Sequence, residues 1–483
     1  MRISTAPGIR KFNQSALRSL CITVVISAAV GICQAQLRLP GLFSDHMVIQ
    51  QNATVAIWGW SHPTQDLMIK VSWDTVTMKT KSANTTFWKT TIKTPPAGGP
   101  HTITIIAGNE KRVIDDVLSG EVWLCSGQSN MEWSMAAAGD GKTIIGQIND
   151  PQIRLFQVPK SAADARQTRG EGIWTICDKN SVAGFSAVGY FFGKKLNENL
   201  KLPVGLINAS WGGTPAEAWV PAEIIEADDV LKQAANKQID DKPWCPTRSA
   251  VVFNAMINPL LPYKVAGALW YQGEANTAAP ATYKQLMETL ITDWRKEFQT
   301  DFPFYYVQIA PFKGYGEIEK GTLVREQQVQ MQSIPNTGMV VISDLVDNVA
   351  DIHPQFKKPV GERLANLALA KTYGQSGIVY QSPQYASMKV EKSRVRIAFD
   401  HAADGLLSRG GAPNEFFVAG ADHKFYPATA KIDGSTLVVS AKEVKEPVAV
   451  RYAWANGALG NLFGKSGLPV SSFRTDDWPI LVN

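Results

Sequence analysis

The residues best suited to chemistry in this chain are Ser129 and His353. Ser129 stands in Gly120-Glu-Val-Trp-Leu-Cys-Ser-Gly-Gln-Ser129-Asn-Met-Glu-Trp133, just past an apolar run that stops at a small, polar turn. Residues 122–125 read as a strand buried on both faces. A hydroxyl beyond the carboxyl end of such a strand lies where open α/β sheets bind ligands. A serine becomes a nucleophile only with a base in hydrogen-bond reach, a third group to orient that base, and donors for the developing oxyanion. Of six histidines, His353 in Asp351-Ile-His353-Pro354 is the one that follows a strand-like run, residues 339–344. It precedes a helix with Val360, Leu364 and Leu367 on one face. Taken alone, a serine after a strand is more often a helix N-cap, so the pair needs support from elsewhere.

That support comes from four ordered blocks: Gly127-Gln-Ser129-Asn-Met-Glu-Trp133, Asn208-Ala-Ser-Trp-Gly-Gly213-Thr214, Trp270-Tyr-Gln272-Gly-Glu274 and Asp351-Ile-His353-Pro354. Together they resemble the sialate O-acetylesterase family of SGNH hydrolases. The likeness extends from Leu42-Phe-Ser-Asp-His-Met-Val-Ile-Gln-Gln51 to about the end of the chain. The resemblance implies acyl transfer to water by a serine esterase, with no metal and no organic cofactor. Ser129 Oγ attacks an acetyl carbonyl; His353 takes its proton and passes it to the departing sugar oxygen; water releases acetate by the reverse route.

The resemblance also implies an oxyanion hole made of the Ser129 N–H, the Gly213 N–H and the Gln272 side-chain amide, Gln272 standing where other SGNH enzymes use an asparagine. Asp351 is the expected acid, although SGNH enzymes commonly carry it three residues before the histidine, where this chain has Ala350. Asp344, Asp347 and Glu274 remain as substitutes, as does a Ser-His dyad aided by a backbone carbonyl. Gln128, Asn130, Glu274 and Arg248 are the expected substrate contacts, Arg248 as a carboxylate clamp. Glu274 has a second reading as a prop for Gln272 or a nearby arginine.

The expected substrate is an O-acetylated sugar, sialic acid first, with xylan or xyloglucan as the alternative. Two rivals come from other classes. Glu274 as a glycosidase acid needs a second carboxyl about 5 to 10 Å away, and leaves the serine block unexplained. A non-catalytic glycan-binding protein leaves the serine, histidine and oxyanion set unexplained.

The elements that must position these residues form an α/β domain over residues 119–374. Strand-like runs at 121–126, 204–209, 265–271, 303–310 and 338–344 alternate with helical patterns such as Tyr283, Leu286, Leu290, Trp294 and Phe298. That alternation predicts an SGNH-like parallel sheet covered by helices. The polar stretch 222–244 reads as an excursion over the site. Residues 36–118 and 375–483 show short strands and turns, predicting flanking β-sandwich-like modules, with a hairpin turn at Asp433-Gly434.

Residues 1–35 read as a secretion signal. Arg2, Arg10, Lys11 and Arg18 precede an apolar run ending at Cys33-Gln-Ala35, with cleavage expected before Gln36. Lipid anchoring at Cys33 is a weaker reading because Ile32 is not small. The run falls short of the about 20 apolar residues a bilayer span takes, so the mature chain is expected to be exported, periplasmic or extracellular, without an integral membrane segment. Loss of the signal leaves 44 basic against 43 acidic residues. Near-neutral charge with no basic run gives no reason to expect nucleic acid. Three cysteines remain, Cys125, Cys177 and Cys245; at most one disulfide can form, and a Cys177–Cys245 pair is left open. No His-Glu-x-x-His, phosphate-binding loop, Gly-x-Gly-x-x-Gly after a strand or Cys-x-x-Cys occurs, so metal, kinase and dinucleotide chemistry are not expected.

Overall fold

The computed structural model describes residues 37–239 and 242–480, together with Met1. The expected signal segment, its cleavage point and Cys33 lie outside the described residues. Strands β1 (Val48–Gln50), β2 (Thr54–Trp60), β3 (Asp66–Val71), β4 (Met78–Lys81), β5 (Phe87–Lys93) and β6 (Gly98–Ala107) precede the long β7 (Glu110–Gly127). β2 pairs antiparallel with β5, while β3 pairs with β4 and β6. Ile57, Trp58, Trp88 and Ile92 of the first layer share a core with Ile69, Ile103 and Ile105 of the second, as in a sandwich.

β7 serves two layers. Its first half pairs antiparallel with β6, and residues 118–120 pair parallel with β1. Its second half is the middle of the central sheet, which continues with β8 (Asn149–Gln157), β9 (Trp174–Asp178), β10 (Val204–Ser210), β11 (Gly267–Tyr271), β12 (Phe304–Val307) and β13 (Thr337–Val340). The order is β13-β12-β11-β7-β10-β8-β9, parallel throughout except for β8 against β9.

Every residue of β10, β11, β12 and β13 is buried. Such strands are continuous apolar runs because helices cover both faces. Five helices frame the site: α1 (Ser129–Glu132), α2 (Ala187–Leu200), α3 (Tyr283–Glu297), α4 (Lys320–Gln330) and α5 (Lys358–Lys371). Side chains alternate along β11: Ala268 and Trp270 join Leu286, Leu290 and Trp294 of α3. Leu269 and Tyr271 join Phe191 and Phe192 of α2 and Val360 and Leu364 of α5 on the other face.

Antiparallel sheets follow. Gln384–Glu391, Arg394–Asp400, Thr436–Ser440 and Thr429–Asp433 form one, and the last two are joined through Gly434 at φ +61°. Phe425–Pro427, Phe416–Ala419, Ala449–Tyr452 and Phe473–Arg474 form another. They enclose their own core around Val395, Ile397, Val418, Leu437 and Tyr452. Arg325 of α4 ties this region to the α/β layer: it is buried and donates to the Ala455 and Asn456 carbonyls.

The chain is thus a mixed α/β protein with a helix-covered central sheet and separate C-terminal β sheets. Cys125 and Cys177 are buried free thiols. Among the described residues no helix is long and apolar enough to cross a membrane.

The joint between the second layer and the central sheet is ionic. Arg154 of β8, 4% exposed, reaches both carboxylate oxygens of Asp116 in β7 at 2.6 and 3.2 Å, and His46 Nδ1 lies 2.7 Å from the same carboxylate. Burial pushes the Asp116 carboxyl up, but the bonds from Arg154 and His46 outweigh it and hold it below its ordinary 3.8. A depressed carboxyl stabilises the fold above its unfolded value and loses that contribution as pH falls through the folded one. Asp116→Asn should therefore lower stability at pH 7 by about 1 kcal/mol, a partly solvated pair being screened. The gap between wild type and variant should close in denaturant titrations run below about pH 3.

Candidate active site

The nucleophile turn is shaped by close packing. Gly127, the last residue of β7, has φ +133°, and a Cβ there would sit 2.2 Å from the Tyr271 carbonyl oxygen of β11. Only glycine tolerates both constraints. The turn is tied on both sides, Gln128 N–H donating to the Tyr271 carbonyl and Trp211 N–H to the Gly127 carbonyl. Ser129 then opens α1, where N–H groups have no intrahelical acceptor. Its Oγ lies 2.9 Å from Nε2 of His353. His353 belongs to the loop between β13 and α5, so sheet edge and loop bring together two residues far apart in sequence.

Trp133 stacks on the His353 ring, with centroids 4.6 Å apart and planes 24° off parallel. Burial lowers the imidazole's proton affinity, the Lys357 ammonium lowers it further, and the Asp351 carboxylate partly opposes both. Asp351 Oδ1 accepts from the His353 backbone N–H at 2.9 Å and lies 3.6 Å from Nδ1. It stands beside the ring but bonds to the main chain.

Ser129 and His353 open into a cavity of about 970 Å³ whose walls include Trp133, Trp211, Trp244, Gly213 and Lys160. Trp244 ends the expected excursion, whose helices are Ala222–Glu226 and Asp229–Gln238. Gly213, at φ +83°, abuts it: a Cβ would meet the Trp244 Nε1 at 3.0 Å. Glu132 accepts from the Gly212 N–H at 2.6 Å and pairs with Lys160. Among the described residues no His, Cys, Asp and Glu cluster is arranged to hold a metal ion.

Three expectations, for Gln272, Arg248 and Asn130, need correction. Gln272 does not reach the cavity: its Nε2 donates to Asn276 Oδ1 at 2.6 Å, its Oε1 accepts from the Tyr283 hydroxyl, and it is fully buried. Arg248 is an exposed ion pair with Asp164 at 2.8 Å, away from the cavity wall. Asn130 is also fully buried and lies behind the wall, donating to Glu274 Oε1 at 2.7 Å and the Ile352 carbonyl at 3.1 Å. Glu274 lines the cavity, as does Gln128, and its Oε1 props Asn130 rather than Gln272 or an arginine; burial raises its carboxyl, against the Asn130 bond and the Lys357 charge. Gln128 Oε1 accepts from Ala275 N–H at 3.1 Å. Of the substitute acids, Asp344 is held by both terminal nitrogens of Arg363.

A family profile described as "Carbohydrate esterase, sialic acid-specific acetylesterase" matches residues 119–370. The chain belongs to that family. It is 31% identical over 394 residues to a sialate O-acetylesterase of Pongo abelii, covering 74% of each chain. It is 29% identical over 472 residues to that of Homo sapiens, covering 89% of this chain and 88% of the relative. A solved carbohydrate acetylesterase from Xanthomonas citri superposes with a TM-score of 0.84 at 36% identity, covering 92% of this chain and all of that one. Membership makes the protein a serine ester hydrolase of the carbohydrate O-acetylesterase type.

Residues not singled out from the sequence also gather here. Trp133 and Glu132 lie inside the quoted serine block, and Trp211 inside the second, but nothing in their spacing set them apart from core aromatics. Lys357 follows the histidine by four residues, which was a usable signal. Gly127→Ala should cost about 1–3 kcal/mol for a strained conformation, and more if the Tyr271 carbonyl cannot move. It should cut turnover together with the denaturation midpoint; a variant matching wild type in both would show that the turn does not depend on glycine.

Proposed function

We propose that the protein removes acetyl groups from O-acetylated sugars through Ser129 and His353, with Asp351 as the acid that orients the histidine. The observation that carries this reading is the 2.9 Å approach of Ser129 Oγ to His353 Nε2 at the floor of the cavity. Neutral His353 takes the Ser129 proton as Oγ adds to the acetyl carbonyl, then returns it to the leaving sugar oxygen. A water repeats the cycle on the acetyl-serine and acetate leaves. The N–H groups of Ser129 and Gly213 serve as oxyanion donors, each worth about 3 kcal/mol in the transition state. Asp351 acts by charge on Nδ1 and by tethering the His353 main chain.

O-acetyl sialic acid is the leading substrate, supported by the family and its relatives. A neutral acetylated polysaccharide is the second reading. It is favoured by the three indoles of the wall, Trp133, Trp211 and Trp244, while Lys160 and Lys242 on the same wall suit the carboxylate of a sialic acid. Export to the periplasm or beyond goes with either.

Acetate release by wild type and Ser129→Ala, from mixed O-acetyl sialic acids and from acetylated xylo-oligosaccharides, tests both levels. Loss of about 1,000-fold or more in the variant is expected. A folded variant with wild-type turnover would sink the serine mechanism, and the product profile names the substrate. Because burial and Lys357 hold His353 below its ordinary 6.5, the acid limb of kcat/KM should have its midpoint below about pH 6.5. An acid limb centred above pH 7 would contradict the assignment.

A further inference from the structure

Lys357 is fully buried, yet no carboxylate lies within ion-pair reach of it among the described residues. Its Nζ donates to Asn130 Oδ1 at 2.6 Å and sits 5.6 Å from the Tyr271 ring centroid and 5.7 Å from that of Trp133. A charge is rarely buried without a partner, and two aromatic faces with one amide oxygen are a solvation shell chosen for a cation. Its neighbours give that cation a purpose. Asn130, adjacent to the nucleophile, passes the tie on through its amide to Glu274 and to the Ile352 carbonyl beside His353. Trp133, whose ring faces the ammonium, stacks on the imidazole.

We propose that Lys357 is a positioning residue of the ester-hydrolysing site. Bonded to Asn130 and clasped by Tyr271 and Trp133, it latches the nucleophile turn, the β11 turn and the histidine loop together, setting Ser129 against His353. It touches no substrate and sits behind the cavity wall. The inference rests on the catalytic reading of Ser129 and His353.

The latch has an electrostatic side. The charged groups acting on Lys357 are Glu274 from the β11 turn, Asp140 from the segment after α1, and Asp347 and Asp351 from its own loop. Burial outweighs them and brings the ammonium down to about 7. In acid it is charged and opposes protonation of His353, which it shares with Asp351 acting the other way.

The test replaces the ammonium and keeps the stem, in Lys357→Met, beside Lys357→Arg and Ser129→Ala. Thermal unfolding, kcat and KM for acetate release across about pH 5 to 9, and the rate of labelling by a serine-directed fluorophosphonate are measured. A folded Lys357→Met should lose about a hundredfold in kcat and in labelling rate, with KM within about twofold. The acid limb of kcat/KM should move to higher pH, and Lys357→Arg should restore part of the loss. A folded Lys357→Met with wild-type kcat and an unmoved acid limb overturns the proposal. Should Lys357→Met fail to fold, Asn130→Ala, which cuts the same bond from its other end, decides: lost labelling supports the latch, full labelling overturns it. An active Ser129→Ala would instead overturn the catalytic reading, a result separable from either.

Discussion

Parallel register is the constraint on which the rest of this structure depends. β7 aligns Gly127 with Ser210 on β10 and with Tyr271 on β11, so all three strands stop at one level. The turns that follow, each from a different part of the sequence, must then emerge side by side on one edge. Close approach of Gly127 to the Tyr271 carbonyl leaves the first of them little freedom. The nucleophile is held by the sheet rather than by its own short helix, and the histidine loop is the one part that must be brought to it.

Behind that edge the interior is more polar than a packed core requires. Asn276 links Gln272 to Glu217, whose carboxyl burial pushes up to about 7, and Asn130 links Glu274 to Lys357. Each carboxylate keeps one buried oxygen, Glu217 Oε1 and Glu274 Oε2, without a hydrogen-bond partner, and the bonds that are made fix one geometry among several that apolar packing would allow. The cavity wall is different, with three indoles set among Glu132, Lys160, Lys242 and Glu274. Geometry is set from behind and contact is left to the face.

Much of this was legible in the sequence. The strands at 204–209, 265–271 and 338–344 stand out because continuous apolar runs signal two-sided burial, and the helix from Tyr283 because its apolar residues recur at helical spacing. The reach of β7 was hidden: its first half alternates charged and apolar residues while its second half is uniformly buried, so one strand reads as two elements. α2 was also hidden, since Ala187-Val-Gly-Tyr-Phe-Phe-Gly carries two glycines and four β-favouring residues that the sheet beneath overrides. Ser129 and His353 were readable from the ordered blocks. Gln272, Arg248 and Asn130 were not, because residue type says what a side chain can donate and nothing about which way it faces.

The shared strand also bears on how the chain is made. As synthesis proceeds, the first half of β7 can fold back on β6 at once, a local pairing with a short connection. Its second half must wait for β10 and β11, which come much later in the chain, with Val122, Trp123 and Leu124 uncovered in the meantime. Non-local parallel pairing is slow and leaves sticky surface exposed. The folding chain therefore carries this uncovered apolar edge fastened to an N-terminal layer built by local pairing, which acts as an internal holdfast until the rest of the sheet arrives.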